Sequence, residues 1–171
     1  MYQRILVPVD GSATSNQGLN EALKLASLTH GRLLLLHAID DPSFSFALQA
    51  SMPYTNDWHE FMRQDGEVIL DRARNTAKAA GIQVETVLSD RYARPVYERI
   101  VAEADHWKAD LIVIGTHGRR GFQRMILGSS AEGVLRVASV PVLLVRASEE
   151  KAEAHSTRKA AIEDAGTAVV E

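Results

Sequence analysis

The chain has 171 residues, no cysteine, and 19 basic against 22 acidic side chains, for a formal charge of −3. The length suits one domain with a short tail, and the lack of cysteine excludes disulfides, a thiolate nucleophile and a sulfur-ligated zinc site. The mild acidity disfavours a general nucleic-acid binder, and no apolar run approaches the roughly 20 residues that span a bilayer. With no signal-peptide pattern at the start, we expect a cytoplasmic protein that binds no nucleic acid and has no membrane span.

Short apolar runs alternate with segments of helical spacing, which predicts strands and helices in turn. In chain order the predicted elements are strand 5–9, a helix around 19–30, strand 33–39, helix 57–80, strand 82–88, a helix from Pro95 to about 104, strand 111–114, helix 130–138 and strand 141–145. This alternation indicates an α/β fold: one domain with a five-stranded parallel sheet and helices on both faces. Such a sheet binds ligands beyond the carboxyl ends of its strands, where the strand order reverses.

Further expectations concern helix ends, helix faces and the chain beyond the last strand. Gly31 suits the end of the first helix. Ser129 and Ser130 are candidates either to cap the last helix or to donate a hydroxyl to a phosphate oxygen. The predicted inner positions of the long helix and the last helix are Phe61, Val68, Ala73, Ala77, Val134, Leu135 and Ala138. We expect residues 1–147 to form the domain and 148–171, rich in Ala and charge, to form a flexible tail.

Five of the eleven glycines lie between Gly115 and Gly133, after a predicted strand and at the start of a predicted helix. Glycine lets a ligand approach the backbone closely, and a helix N-terminus offers N–H donors to phosphate. The spacing matches neither the Walker loop nor the dinucleotide-binding pattern. A flexible loop with a serine cap would have the same composition, so composition alone leaves both interpretations open.

The spacing does resemble one family pattern. Gly115-Thr116-His117-Gly118, nine residues, and then Gly128-Ser129 are similar to the G-x2-G-x9-G-[ST] motif of the universal stress protein family. Segments 5–12, 36–40 and 141–145 resemble that family's first strand with its acidic turn, its second strand end and its last strand. The resemblance covers residues 1 to about 147 and implies a Rossmann-like fold of the adenine-nucleotide alpha-hydrolase type, in the ATP-binding branch.

The resemblance also implies an ATP site. Its candidate residues are Pro8, Val9, Asp10, Ala38, Ile114, Gly115, Thr116, Gly118, Arg119, Gly128, Ser129 and Ser130. By position, Pro8, Val9 and Asp10 would lie by the ribose and adenine, and Ala38 would give backbone contacts to the adenine. Gly115 and Gly118 would bring the loop backbone to the phosphates, and residues 128–130 would close around them. Mg²⁺ or Mn²⁺ would sit on the phosphates, with Asp10 as its candidate protein ligand.

These residues predict an ATP-binding universal stress protein that acts as a nucleotide-dependent sensor or regulator. The alternative is a weak ATPase or a phosphoryl or nucleotidyl transferase that uses metal at Asp10 together with Ser129. No acid–base pair accompanies the glycine loop, so no catalytic residue is predicted. We expect Asp10 to matter for ligand affinity and little for stability. The apolar strand Pro141–Val145, if it lies at a sheet edge, predicts a homodimer built through that edge. The rival explanation is that the tail or the long loop after the second strand covers the edge within one chain.

Overall fold

The structure is a computed structural model that describes residues 1–40, 56–90, 94–116 and 127–146. In chain order its elements are β1 (Arg4–Pro8), α1 (Ala13–Thr29), β2 (Arg32–Ala38), α2 (Asn56–Ala79), β3 (Val84–Ser89), α3 (Val96–Trp107), β4 (Leu111–Gly115), α4 (Ser129–Val137) and β5 (Val142–Val145). The strands form one parallel sheet in the order β3-β2-β1-β4-β5. The predicted α/β fold is confirmed. The predicted tail 148–171 lies outside the described residues, as does the stretch 41–55 between β2 and α2.

Each face of the sheet is covered by two helices. Side chains of α1 and α2 pack on one face, together with Leu33 and Leu35 of β2. Side chains of α3 and α4 pack on the other face, together with Leu34 and Leu36. Because successive side chains of a strand point to opposite faces, a strand buried on both sides is apolar throughout, as the run from Leu33 to Leu36 is.

The strand order reverses at the centre of the sheet. From β1 the chain adds β2 and β3 on one side, and then crosses to add β4 and β5 on the other. The carboxyl ends of β1 and β4 are therefore neighbours whose following segments diverge to opposite faces of the sheet. In a parallel sheet, this divergence opens a crevice suited to a ligand.

Three predicted inner positions are wrong. Phe61 is 59% exposed, Val68 is 46% exposed, and Leu135 is also exposed. The buried stripe of α2 runs through Gly66, Ile69, Leu70, Ala73 and Ala77. Val68 and Leu135 each directly adjoin a buried residue in the chain, and one residue along a helix turns the side chain by roughly 100°. That rotation carries both side chains out of the core.

The first helix ends where expected, but Gly31 is not the residue that ends it. His30 takes the left-handed conformation, with φ of 54°. Gly31 is required for a different reason, because a Cβ there would lie 2.9 Å from the carbonyl oxygen of Tyr2. The glycine therefore allows α1 to turn closely past the start of β1.

Candidate functional site

The carboxyl ends of β1, β2 and β4 bring together most of the predicted site residues. The described ones are Pro8, Val9, Asp10, Ala38, Ile114, Gly115, Thr116, Gly128, Ser129 and Ser130. Gly118 and Arg119 lie outside the described residues, as do His117, Arg120 and Arg124. The geometry of the site is therefore given by three strand ends and the first turns of α1 and α4.

The exit of β1 is a hydrogen-bonded turn that leads into α1. Asp10 accepts a hydrogen bond at Oδ1 from the Ser12 N–H (2.9 Å), and its own N–H donates to Ser15 Oγ (3.1 Å). Ser12 Oγ in turn accepts from the Ser15 N–H at 3.2 Å and so caps α1. Gly11, with φ of 78°, takes the left-handed position of the turn. Asp10 therefore contributes a hydrogen bond to this turn, in addition to its predicted role in ligand affinity.

The exit of β2 presents backbone groups toward the β1 side. In a parallel strand, the N–H and C=O of one residue point to the same neighbour, and successive residues alternate between neighbours. Leu36 C=O accepts from Val9 N–H (2.8 Å) on the β1 side, while Ile39 N–H donates to Ser89 C=O (3.0 Å) on the β3 side. Ala38 accordingly directs its N–H and C=O toward β1, two residues beyond the last residue of β2 that is paired with β1.

Gly115 ends β4 against the first turn of α1. A Cβ at this position would lie 2.9 Å from Thr14 C, 3.0 Å from Thr14 O and 3.1 Å from Ser15 N. These are rigid backbone atoms that cannot move aside as a flexible side chain does. The first glycine of the motif is thus required for packing between β4 and α1, whatever else approaches it.

Thr116 joins the end of β4 to the start of α4. Its N–H donates to Val145 C=O at 2.9 Å, and its C=O accepts from Gly128 N–H at 2.8 Å. Thr116 is buried. One hydrogen bond therefore joins the described residues on either side of 117–126.

The serine caps predicted for α4 are wrong. Gly128 is the N-cap residue, and Ser129 and Ser130 are the first residues of the helix. Gly128 has no side chain that could accept from the N–H groups of the first turn, whereas Ser12 does so at α1. A helix start capped by glycine leaves N–H donors and a partial positive charge for another acceptor.

Two buried polar side chains at the same edge were missed. His37 Nδ1 lies 2.7 Å from Val9 O. Arg99 donates to Ile39 O at 2.8 Å and to Ser89 O at 3.1 Å. The sequence offered two signals: a histidine inside an apolar strand run, and an arginine spaced like the inner residues of its helix.

Within the described ranges, no cluster of three or more His, Asp or Glu side chains is arranged to hold a metal ion. Nor is any helix in those ranges long and apolar enough to cross a membrane.

Comparisons with known proteins agree with this geometry. The model of the universal stress protein family matches residues 1–146. A universal stress protein of Methanocaldococcus jannaschii is 31% identical over 149 residues, which cover 85% of this chain and 83% of that protein. A crystal structure of a family member from Burkholderia pseudomallei is 31% identical, with a TM-score of 0.65 over 84% of this chain and 95% of that one. A crystal structure of a universal stress protein in complex with cAMP is 27% identical, with a TM-score of 0.59 over 86% and 98%. This chain belongs to the universal stress protein family.

Proposed function

We propose that this protein binds ATP at the carboxyl ends of β1, β2 and β4 and acts as a nucleotide-dependent regulator in a stress response. The observation that carries the proposal is the hydrogen bond between Thr116 and Gly128. It brings the glycine-capped start of α4, which attracts phosphate, to the crevice beside β1 and β4. The family relative in complex with cAMP supports an adenine nucleotide as the ligand.

In this proposal the adenine and ribose lie over the exits of β1 and β2. Pro8, Val9 and Asp10 line one side, and Ala38 offers the backbone groups that it directs toward β1. Hydrogen bonds to a backbone N–H and C=O suit the edge of an adenine ring, which has both acceptors and donors. The base is therefore read by main-chain atoms, for which a small residue such as Ala38 leaves room.

The phosphates lie toward α4 in the same proposal. Ile114, Gly115 and Thr116 form the floor, and residues 128–130 provide N–H and hydroxyl donors. Gly118 and Arg119 add a close backbone approach and a guanidinium, a group suited to phosphate oxygens. Mg²⁺ or Mn²⁺ is carried by the phosphates, with Asp10 as the carboxylate that ends β1.

Titration calorimetry with Mg-ATP tests the proposal. Gly128 has φ of −63° and ψ of 145°, a conformation that valine adopts readily, so Gly128→Val keeps the backbone while placing bulk at the start of α4. We expect its ATP affinity to fall about tenfold or more. Ala138→Val is the control, because Ala138 has nearly the same backbone angles at the other end of α4.

The outcomes separate the parts of the proposal. Wild-type protein that binds neither ATP, AMP nor cAMP would contradict nucleotide binding altogether. Binding of AMP or cAMP without ATP would correct the ligand and leave the site standing. Phosphate release by the same samples would favour the alternative, a weak ATPase or transferase.

We further propose that residues 1–147 are the functional unit, that 148–171 form a separate tail, and that two copies associate through β5.

A further inference from the structure

His37 is a buried histidine at the carboxyl end of β2. Its side chain is 6% exposed, and the alternation of the strand places it on the face of Leu33 and Leu35, which α1 and α2 cover. An imidazole in an apolar layer requires hydrogen-bond partners, because burying an unpaired polar group is unfavourable. The Val9 carbonyl oxygen, 2.7 Å from Nδ1, is one such partner.

This hydrogen bond acts on the residue where the chain leaves β1. A carbonyl oxygen only accepts, so Nδ1 carries the hydrogen and donates it. The Val9 N–H meanwhile donates to Leu36 O at 2.8 Å. Val9 is thus bound through both of its backbone groups to successive residues of β2. Because both backbone groups of Val9 are held, the direction in which the chain continues to Asp10 is fixed.

The room for the imidazole comes from α2. A Cβ at Gly66 would lie 2.7 Å from His37 Cδ2 and 3.3 Å from Nε2. The same Cβ would lie 2.7 Å from Leu88 Cδ1, so Gly66 makes room for both side chains. We expect a side chain at position 66 to push the imidazole away from its contact with Val9. Gly66 and His37 act as a pair, in which the glycine sets the position of the ring and the ring sets the position of Val9.

We propose that His37 is a positioning residue for the nucleotide site, acting through Val9 on Asp10 and its turn without touching the ligand. The inference rests on the proposed function, since it names what holds the β1 exit in the orientation that the nucleotide meets. Packing alone does not account for the histidine, because leucine fills the equivalent layer at positions 33 and 35.

Calorimetry with Mg-ATP compares wild type with His37→Leu, His37→Asn and the control Leu35→Val. Leucine removes the donor and keeps the layer filled, whereas asparagine returns an amide N–H near Nδ1. We expect affinity to fall about tenfold in His37→Leu and to recover to within about threefold of wild type in His37→Asn. Leu35→Val loosens the same layer without touching Val9, so it should keep wild-type affinity.

Unchanged affinity in folded His37→Leu overturns the proposal, and so does an equal loss in all three variants. Wild type that binds neither ATP, AMP nor cAMP overturns the proposed function itself, whereas unchanged affinity in His37→Leu beside a wild type that binds overturns only the role of His37. If His37→Leu does not fold, Gly66→Ala carries the test, because its methyl group pushes the ring from Val9; wild-type affinity there overturns the proposal. Imidazole ¹⁵N spectra give a readout without ligand: a neutral His37 ring with the hydrogen on Nε2 would also overturn it.

Discussion

At the scale of single residues, two glycines face each other where β4 passes α1. A Cβ on Gly115 would press on the backbone of Thr14 and Ser15 at 2.9 to 3.1 Å, whereas a Cβ on Gly18 would lie 3.6 Å from Gly115 N, an ordinary contact. A side chain is therefore tolerated at Gly18 and not at Gly115, although the two residues belong to the same contact. Packing requires glycine only at position 115.

Gly115→Ala should lower the free energy of unfolding by about 2 kcal/mol, as overpacking against a rigid neighbour does. For a chain of this size that corresponds to roughly 4–8 °C in Tm. Gly18→Ala is the control: it lies inside α1, where alanine is favoured over glycine by up to about 1 kcal/mol, so it should melt no lower than wild type. Urea unfolding measures both. Similar losses in the two variants would show that the close approach at Gly115 is not the cause.

Asp10 combines a turn with a proposed ligand contact, and two substitutions separate these roles. Asp10→Asn keeps an oxygen for the Ser12 N–H and should change unfolding free energy by less than about 0.5 kcal/mol. Asp10→Ala loses that acceptor and should cost about 1–2 kcal/mol. Both should weaken Mg-ATP binding, because both remove the negative charge. Wild-type ATP affinity in both would remove Asp10 from the site and leave it only the turn.

At the scale of elements, a guanidinium from α3 holds the carboxyl ends of β2 and β3. Arg99 is 6% exposed and donates to the carbonyl oxygens of Ile39 and Ser89. The Ser89 carbonyl, at the end of β3, also accepts from the Ile39 N–H. Ile39 directly follows β2, and its own buried carbonyl needs a donor from outside the strand ladder. Arg99 therefore continues the connection between the two strands with side-chain donors.

Arg99→Ala should destabilise the protein by roughly 3 kcal/mol, since two hydrogen bonds from a charged donor are lost and the buried Ile39 carbonyl is left without the guanidinium. The matched control is Arg136→Ala in α4, an exposed arginine paired with Glu132 one turn earlier, which should cost no more than about 0.5 kcal/mol. Chemical denaturation followed by circular dichroism measures the difference. A loss of unfolding free energy in Arg99→Ala as small as that in Arg136→Ala would show that the hydrogen bonds of Arg99 to Ile39 and Ser89 contribute little to stability.

The elements were predictable because their signal is local. Four strands are short apolar runs between turn residues, β3 mixes apolar and polar residues, and each helix repeats apolar residues every three or four positions. The misjudged positions Phe61, Val68 and Leu135 show the limit of this signal. An apolar side chain next to the buried stripe has the same local pattern as one inside it, and only the neighbouring strand decides which is covered.

For the candidate site, the sequence predicted which strand ends lie together, and it did not predict the side-chain contacts between distant residues. Parallel strands must end at one edge, so Asp10, Ala38 and Gly115 could be grouped without a structure. The contacts of His37 with Val9 and of Arg99 with Ile39 join residues 28 and 60 positions apart, and no spacing rule connects such pairs. The cap of α4 failed for the opposite reason: Gly128 and Ser129 are adjacent, and a shift of one residue changes which of them is the cap.

At the scale of the whole molecule, β5 forms one edge of the sheet. The N–H groups of Ile112 and Thr116 donate to the carbonyls of Pro141 and Val145. By alternation, residues 142 and 144 direct their backbone groups away from β4, to an edge that no other strand of the described residues pairs with. An apolar edge with outward N–H and C=O groups favours pairing with a second strand. Antiparallel pairing of two copies about a two-fold axis would satisfy both edges.

Leu143 is the residue with which to test this dimer. The side chains of Val142 and Leu144 pack into the core beside α3 and α4, so a charge there would disturb the fold itself. Leu143 is 37% exposed, and Leu143→Lys should convert a dimer to a monomer because like charges would meet across the axis. Leu28→Lys, on exposed α1 surface, is the control. Multi-angle light scattering at micromolar concentration measures both; a monomeric wild type would refute the dimer, and a dimeric Leu143→Lys would refute this interface.

The hydrogen bond between Thr116 and Gly128 has a consequence for how such a chain can diverge. It fixes where the ten residues 117–126 begin and end, independently of what they are. Loop closure becomes less favourable only slowly with length, by about 0.6 kcal/mol for each doubling. Substitutions, deletions and insertions between the two anchors can therefore accumulate while the sheet keeps its stability. We therefore expect that exchanging residues 117–126 between family members changes the proposed nucleotide preference and leaves the free energy of unfolding nearly unchanged.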